Sequence, residues 1–523
     1  MLQKTRRREY KLPKKSGEKL GEGLSVDTTN FVIEHKTSPK RIVFLLGIFF
    51  YAILFALACI RLPGSLFEYA IFTLSAALML WLGLRNRLGY GASILTVFLW
   101  LGLWLKLTVN IILSRPYTEA TGGFDFSSQQ YDELMVVATL VCLGISAAWM
   151  ISIRWLAKIR SVDIDPVESN LVDDGRAKIP QKYLWISLAL AIALLNIANI
   201  QFGFVQSGLV ARKVFPWPTN AIVCWFFYSG LSFLVAALLY WDFLRNRNFS
   251  TGILVALFEA TLGGMTTISR GLYLWHMLPI VWAAWVNKLK FRKSLSTRSL
   301  IFFSVVAMVG FIVVGTLVNV FRLALYDPRL NTINAEMIYS TRAGEFAENG
   351  GQLFNLVVDR WVGVEGIMVS VGYKSKSVEL FEELLAEKPA IGHITKYQYI
   401  SNSNYRQVDA SKYQFNTIPG VGGFLYLSGS LWIVFVGTLL LALCVTGSER
   451  LIQFVSDNPF FCAVSGVYMA NMVAQIGVTP RQLIAQIAMN FAIIIFISLV
   501  QAYWLRKGWI ANNIIYRNKA HRG

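Results

Sequence analysis

The chain has 523 residues, of which 55% are hydrophobic and 15% charged, with a mean hydropathy of +0.51. Soluble domains carry about a quarter charged residues and disordered chains combine low hydrophobicity with high charge, so this balance excludes both and leaves a polytopic membrane protein. The formal net charge of +19, from 49 Lys+Arg against 30 Asp+Glu, fits either a nucleic-acid partner or an orientation signal, and the position of the charges decides between them.

The first forty residues are polar and basic and contain no signal-peptide pattern. A hydrocarbon core about 30 Å thick needs about 20 apolar residues of helix. Runs of that length start near Arg41, Leu66, Tyr90, Tyr131, Tyr183 and Asn220, then near Thr251, Leu272, Ser299, Val421, Asn458 and Arg481. The expectation is therefore an all-α polytopic membrane protein with about 12 transmembrane helices. The seventh and eighth runs meet at Ser269-Arg270-Gly271 with almost no loop, so they also fit one broken helix or a re-entrant hairpin.

With the N-terminus inside, 32 of the 49 Lys+Arg fall in inner segments, 16 in outer segments, and Lys106 lies within the third run. The short outer loops are nearly free of Lys and Arg, a positive-inside pattern that puts both termini in the cytoplasm and argues against nucleic acid. The predicted organisation is a basic tail over 1–40, spans one to nine over 41–321, a large outer loop over 322–419, spans ten to twelve over 420–505 and a tail over 506–523. The large loop includes Ser377–Glu387, whose apolar residues fall at helical spacing. A loop this long with helical patterning points to function rather than connection.

Ionisable groups at a membrane are costly and mark candidate sites. Arg270 lies in Gly263-Gly264-Met-Thr-Thr-Ile-Ser-Arg-Gly271, where a helix break leaves backbone amides to meet an anion and the guanidinium suits a phosphate or pyrophosphate. The alternative is an interfacial arginine reaching lipid headgroups. Arg322, Arg360 and Arg481 stand at other outer edges, with the same alternative. Asp359-Arg360-Trp-Val-Gly-Val-Glu365 puts two carboxylates beside an arginine, either of which could act as a general base or serve a structural ion pair.

Arg212-Lys213 precedes Phe215-Pro-Trp-Pro218, an aromatic outer loop on which sugars could stack, though interfacial belts have the same composition. His276 could line the cavity near Arg270 or simply pack in the core, and His393 is a weak acid–base candidate. Glu259 is a buried carboxylate or a proton carrier, and Asn196 and Asn199 are candidate interhelical glue. The five cysteines lie in apolar runs without metal-ligand spacing and read as small core residues. No metal or cofactor motif is present in the sequence.

Three stretches carry a family resemblance: Thr267-Ile-Ser-Arg-Gly271, Asp359–Met368 and Thr417–Gly429. With the layout of spans and the single large outer loop, they resemble the bacterial oligosaccharide repeat-unit polymerase (O-antigen polymerase, Wzy) family. The resemblance implies a metal-independent, GT-C-like glycosyltransferase of the bacterial inner membrane. It would move a growing glycan from undecaprenyl-pyrophosphate onto a lipid-linked repeat unit at the periplasmic face, contributing to lipopolysaccharide. It further implies membrane lipid and a chain-length regulator protein as partners, and no cofactor. Arg270, Arg360, Glu365 and Asp359 would be catalytic, and Arg322, Arg481, Arg212, Lys213 and His276 would bind substrate. An O-antigen ligase shares the layout, and a transporter or flippase is the alternative from another class, although no internal repeat is visible.

Overall fold

The computed structural model describes residues 39–85, 88–117, 119–159, 181–216, 218–244, 249–288, 295–326, 358, 361–388, 394–407, 409–456, 458–476 and most of 480–499. Most of the basic N-terminal tail, the C-terminal tail, Asp359, Arg360 and His393 lie outside these residues. The chain divides into two units, Met1–Ala52 and Ile53–Gly523, and of the first only the opening of helix α1 (Pro39–Arg61) is described. The structure is about 78% helical, which bears out the all-α expectation.

Among the described residues, seven helices are long and apolar enough to cross a membrane. They are α2 (Leu66–Gly83), α3 (Tyr90–Leu113), α4 (Ser128–Ile159), α5 (Gln181–Phe202), α6 (Thr219–Phe243), α9 (Thr297–Tyr326) and α14 (Leu431–Val455). Between them lie the shorter helices α7 (Ser250–Thr266), α8 (Arg270–Val286), α10 (Val364–Gly372), α11 (Val378–Ala386), α12 (Lys396–Ile400), α13 (Gly420–Tyr426) and α15 (Pro459–Ala474). A further apolar helical stretch covers Leu483–Phe496. The sheet is one antiparallel pairing of β1 (Gly208–Leu209) with β2 (Tyr413–Gln414).

The ends of these helices follow local chemistry. Ser269, Ser377 and Ser430 each accept a backbone N–H at the start of α8, α11 and α14, and Thr395 with Gln398 forms a capping box on α12. Asn458 caps α15 ahead of Pro459, which fits the first turn because its missing N–H is not needed there. The amphipathic stretch predicted over 377–387 is thus a helix.

Enclosure differs sharply among the long helices. α3 is the most enclosed, with 78% of its apolar window buried, whereas α9 has only 17% buried and exposes Phe302, Val305, Met308 and Ile312. An exposed face this apolar suits lipid rather than water. α3 packs against α2, α14 and α15, while α4 lies along α2 and α14. α7 and α8 form a tight antiparallel hairpin, with Glu259 opposite His276 and Gly263 opposite Leu272, and pack with α5, α6, α9 and α15 around a second apolar core. The seventh and eighth runs are thus two antiparallel helices rather than one broken helix.

Three boundaries differ from the sequence expectation. The tenth run begins with the seven-residue α13, and α14 starts only at Leu431, because Gly429 takes a left-handed φ of 73° and Ser430 starts a new helix. Glu449-Arg450, the inner connection expected between spans ten and eleven, is helical: Glu449 turns inward to accept N–H groups of Tyr90 and Gly91 at 2.8 Å, and Arg450 bonds Gln453. The segment expected as an outer loop over 322–419 is not wholly separate from the bundle. α9 runs on to Tyr326, and α10 is buried from Val364 to Val371 against α4 and α13.

Candidate functional site

Two of the three stretches singled out in the sequence pack together, and the helix that follows the first reaches the same region. Phe98 of α3 lies between two indoles, Trp275 of α8 at 4.9 Å edge-on and Trp361 at 5.3 Å stacked. Trp275 stands five residues after Arg270 on α8, and Trp361 directly follows Asp359-Arg360. The third stretch closes on the same place. Gly366 of α10 lies against the Pro419 carbonyl and Gly423 of α13 against Gly366, so the backbones touch where any side chain would collide. Gly102 of α3 makes an equally close approach to the Val362 carbonyl.

Below this crossing sits a buried ion pair. Lys106, 1% exposed, pairs its ammonium with the Glu365 carboxylate and donates to the Trp361 carbonyl at 3.1 Å. A widened π turn over Trp100–Leu105 precedes Lys106, and such turns re-aim the side chains that follow them. Glu365 lies outside the candidate spans. Burial pushes its carboxyl up and the Lys106 charge opposes this. Tyr397 of α12 is also buried there, and burial, then the charges of Glu365 and Glu119, push its hydroxyl well up. Asn110, one turn beyond Lys106, is buried with its Nδ2 unpartnered among the described residues. Lys106 was not among the sequence candidates, although a lone lysine in a 24-residue apolar helix is itself a signal.

Arg270 is the first residue of α8 and half-buried, its aliphatic stem passing Gly315 of α9 at the distance of ordinary contact. It has no hydrogen bond or ion pair to another described residue. Arg322 has a different position from the one expected of a free anion ligand. Its Nε and Nη2 both donate to the Ile268 carbonyl, at 3.1 and 2.9 Å. Ile268 holds a left-handed φ of 55°, costly for a β-branched residue, so Arg322 fastens the strained turn that presents Arg270.

His276 does not line an open cavity with Arg270. It is buried, with Nδ1 at 2.6 Å from Glu259 and Nε2 at 3.1 Å from the Tyr228 carbonyl, so both ring nitrogens are engaged. Arg212 and Lys213 are exposed, and Lys213 lies over Phe202 at 5.1 Å and Phe215 at 5.9 Å. The β1–β2 pairing joins their loop to 409–416, where Tyr405 and Tyr413 stack on Phe415. Arg481 is exposed. Asn196 and Asn199 of α5 do act as interhelical glue: Asn196 accepts from Thr266, and Asn199 bonds Val205 and the Thr266 carbonyl.

A second polar cluster was not foreseen. Glu133 of α4 accepts from Tyr426 at 2.6 Å and from Lys376 at 3.0 Å, tying α4 to α13. Among the described residues no group of His, Cys, Asp and Glu has the arrangement of a metal site. Chemically, the region offers a cationic helix start at Arg270, aromatic faces and a carboxylate held by lysine. Comparison with protein-family models, with curated proteins and with solved structures finds no match for this chain.

Proposed function

We propose that the chain is a polysaccharide polymerase of the bacterial inner membrane, with both termini cytoplasmic. It would transfer a growing glycan from undecaprenyl-pyrophosphate to a lipid-linked repeat unit on the periplasmic face, using a GT-C-like arrangement of up to twelve spans. The observation that carries this reading is the packing of 359–368 against 417–429 at the Gly366–Gly423 crossing, with Phe98 linking Trp361 to Trp275 of the helix that Arg270 begins.

In this reading Arg270 and Arg360 bind the pyrophosphate and stabilise the charge that develops on it as the glycosidic bond breaks. The free N–H groups at the start of α8 add to that field. Glu365, buried and held by Lys106, supports the segment rather than attacking. Asp359 is then the base that takes the proton from the acceptor hydroxyl. Arg322 secures the turn that carries Arg270, His276 leaves the list of substrate contacts, and Arg212, Lys213 and Arg481 meet the glycan or lipid headgroups. A chain-length regulator protein is a further partner, and no nucleic acid or metal is required.

The test is the glycan ladder of a deletion strain complemented with variants. Complementation by Arg270→Ala or Arg360→Ala should give lipid capped with single repeat units while the protein still inserts. Loss of all capped glycan on deletion would favour the ligase reading, and normal chain length in both variants would remove the pyrophosphate clamp. A second reading, a proton-coupled transporter or flippase, draws on the buried Glu259–His276 pair, since ionisable pairs within spans are a mark of transport. It predicts loss of lipid-linked precursor at the outer face instead of shortened chains.

A further inference from the structure

The Glu259–His276 pair has no task in the polymerase reading, yet it is built with care. Glu259 and His276 are 1% and 2% exposed and bridge the two arms of the α7–α8 hairpin. A third helix takes part through a distorted turn. α6 widens to a π turn over Phe226–Gly230, and within it the Tyr228 carbonyl faces His276 Nε2 at 3.1 Å. A carbonyl only accepts, so Nε2 carries a proton. The second proton then lies on the 2.6 Å line between Nδ1 and Glu259 Oε1, held as imidazolium and carboxylate or as imidazole and carboxylic acid. Both forms are neutral overall, which suits a buried position.

The other oxygen, Glu259 Oε2, is buried and has no partner among the described residues. A buried carboxylate oxygen left without a donor is unusual and calls for an explanation by function. Ser232, four residues beyond Tyr228 on α6, is also buried with its hydroxyl unpartnered among the described residues. On the same side, Tyr228 offers the pair its carbonyl, and the titratable neighbours of its phenol are the Cys224 thiol and the Tyr468 phenol. α5 contributes the amides of Asn196 and Asn199, and Arg322 of α9 is engaged at the Ile268 carbonyl. Glu259 is the one charged partner of His276 among the described residues.

We propose that Glu259 and His276 form a proton-binding site within the membrane, in which one proton is shared between Nδ1 and Oε1 and Oε2 is the open position through which it exchanges. Uptake of a further proton on Oε2 gives a carboxylic acid beside an imidazolium, and release of the shared proton gives an imidazole beside a carboxylate. Each step changes the charge between the hairpin arms by one unit, so proton occupancy is linked to the packing of the hairpin whose tip carries Arg270. The inference does not depend on the polymerase reading, because it concerns proton binding alone.

The experiment is a pH titration of full-length protein in lipid nanodiscs with histidine rings labelled by nitrogen-15. The His276 signals are assigned by their loss in His276→Gln. In the wild type, Nε2 should stay protonated throughout while Nδ1 reports a shared proton, and Glu259→Gln should convert Nδ1 to a plain unprotonated acceptor. A fixed neutral tautomer with identical Nδ1 signals in wild type and Glu259→Gln would overturn the proposal. If Glu259→Gln fails to fold, infrared difference spectra of His276→Gln decide. A protonated carboxylic acid band at neutral pH, removed by the further change Glu259→Gln, is expected, and its absence would refute the site.

Discussion

The two buried ion pairs make an instructive contrast. Lys106–Glu365 joins residues 259 positions apart and ties a long segment to the most enclosed of the seven long helices, whereas Glu259–His276 joins neighbouring arms of one hairpin. The lysine ammonium has three donors, and beyond Glu365 it also reaches the Trp361 carbonyl, so it holds two points of that segment at once. The imidazole can pass its proton to the carboxylate and remain neutral. Equal burial therefore gives different properties: the first pair is a fastening and the second is a proton store.

The sharpest way to break this contrast is to remove one member of the first pair. Lys106→Met leaves the Glu365 charge uncompensated and should cost about 3–5 kcal/mol, read as thermal unfolding in detergent by tryptophan fluorescence. The double change Lys106→Met with Glu365→Leu should recover most of that loss, because well-packed apolar groups replace a buried pair at little cost. If the double variant is no better than the single one, the pair is not an isolated fastening.

Gly366→Ala attacks the same fastening through packing. The added methyl meets the Pro419 carbonyl, and the repacking should cost about 1–3 kcal/mol and loosen α10 from α13. Hydrogen exchange across 364–372 measures this directly. Glu259→Gln should be milder than Lys106→Met, about 1–2 kcal/mol in the same unfolding assay, since the amide still offers a hydrogen bond to His276 and leaves no unpaired charge. A larger loss than in Lys106→Met would reverse the assignment of roles.

Arg322→Lys keeps the charge but loses the double bond to the Ile268 carbonyl, at a cost of about 1 kcal/mol. Faster exchange confined to 266–270 is the expected signature. The smallest effect lies at the surface, in the turn held by Asp125. Asp125 accepts from the Ser127 side chain and backbone, which holds its carboxyl below the usual range. A lowered folded value means that the turn is fully supported above the ordinary carboxylate value and loses support as pH falls through the folded one. Exchange at 125–130 should therefore quicken only once the pH has fallen below the ordinary carboxylate range.

Much of the architecture was legible because hydrophobic length is a one-dimensional signal. The predicted starts at Leu66 and Tyr90 coincide with the helices, and those near Ser299 and Asn458 lie within two residues of them. Reading failed where local chemistry reversed the sign of a cue. Glu449-Arg450 resembled a loop because charges rarely sit within spans, yet Glu449 is satisfied by the exposed N–H groups of another helix. Leu427-Ser-Gly-Ser430 looked like part of an apolar run, and only the left-handed Gly429 reveals the break. At the site, Arg270 and Glu365 stood out as charges in unusual company. Lys106 did not, since its meaning depends on a partner that pattern and periodicity cannot supply. The orientation of His276 toward Glu259 was equally hidden, because helix register alone does not tell which arm faces which.

The carboxylate that caps α3 also bears on how the protein is made. Tyr90 leaves the ribosome 359 residues before Glu449, which at synthesis rates of 5–20 residues per second is roughly 20–70 s. Lys106 waits almost as long for Glu365. During that interval the third span carries an unmatched positive charge and an uncapped start, although it becomes the most enclosed of the seven long helices. Its final seat is thus assembled from the second half of the chain, and the nascent first half must be kept from premature partners until that half arrives.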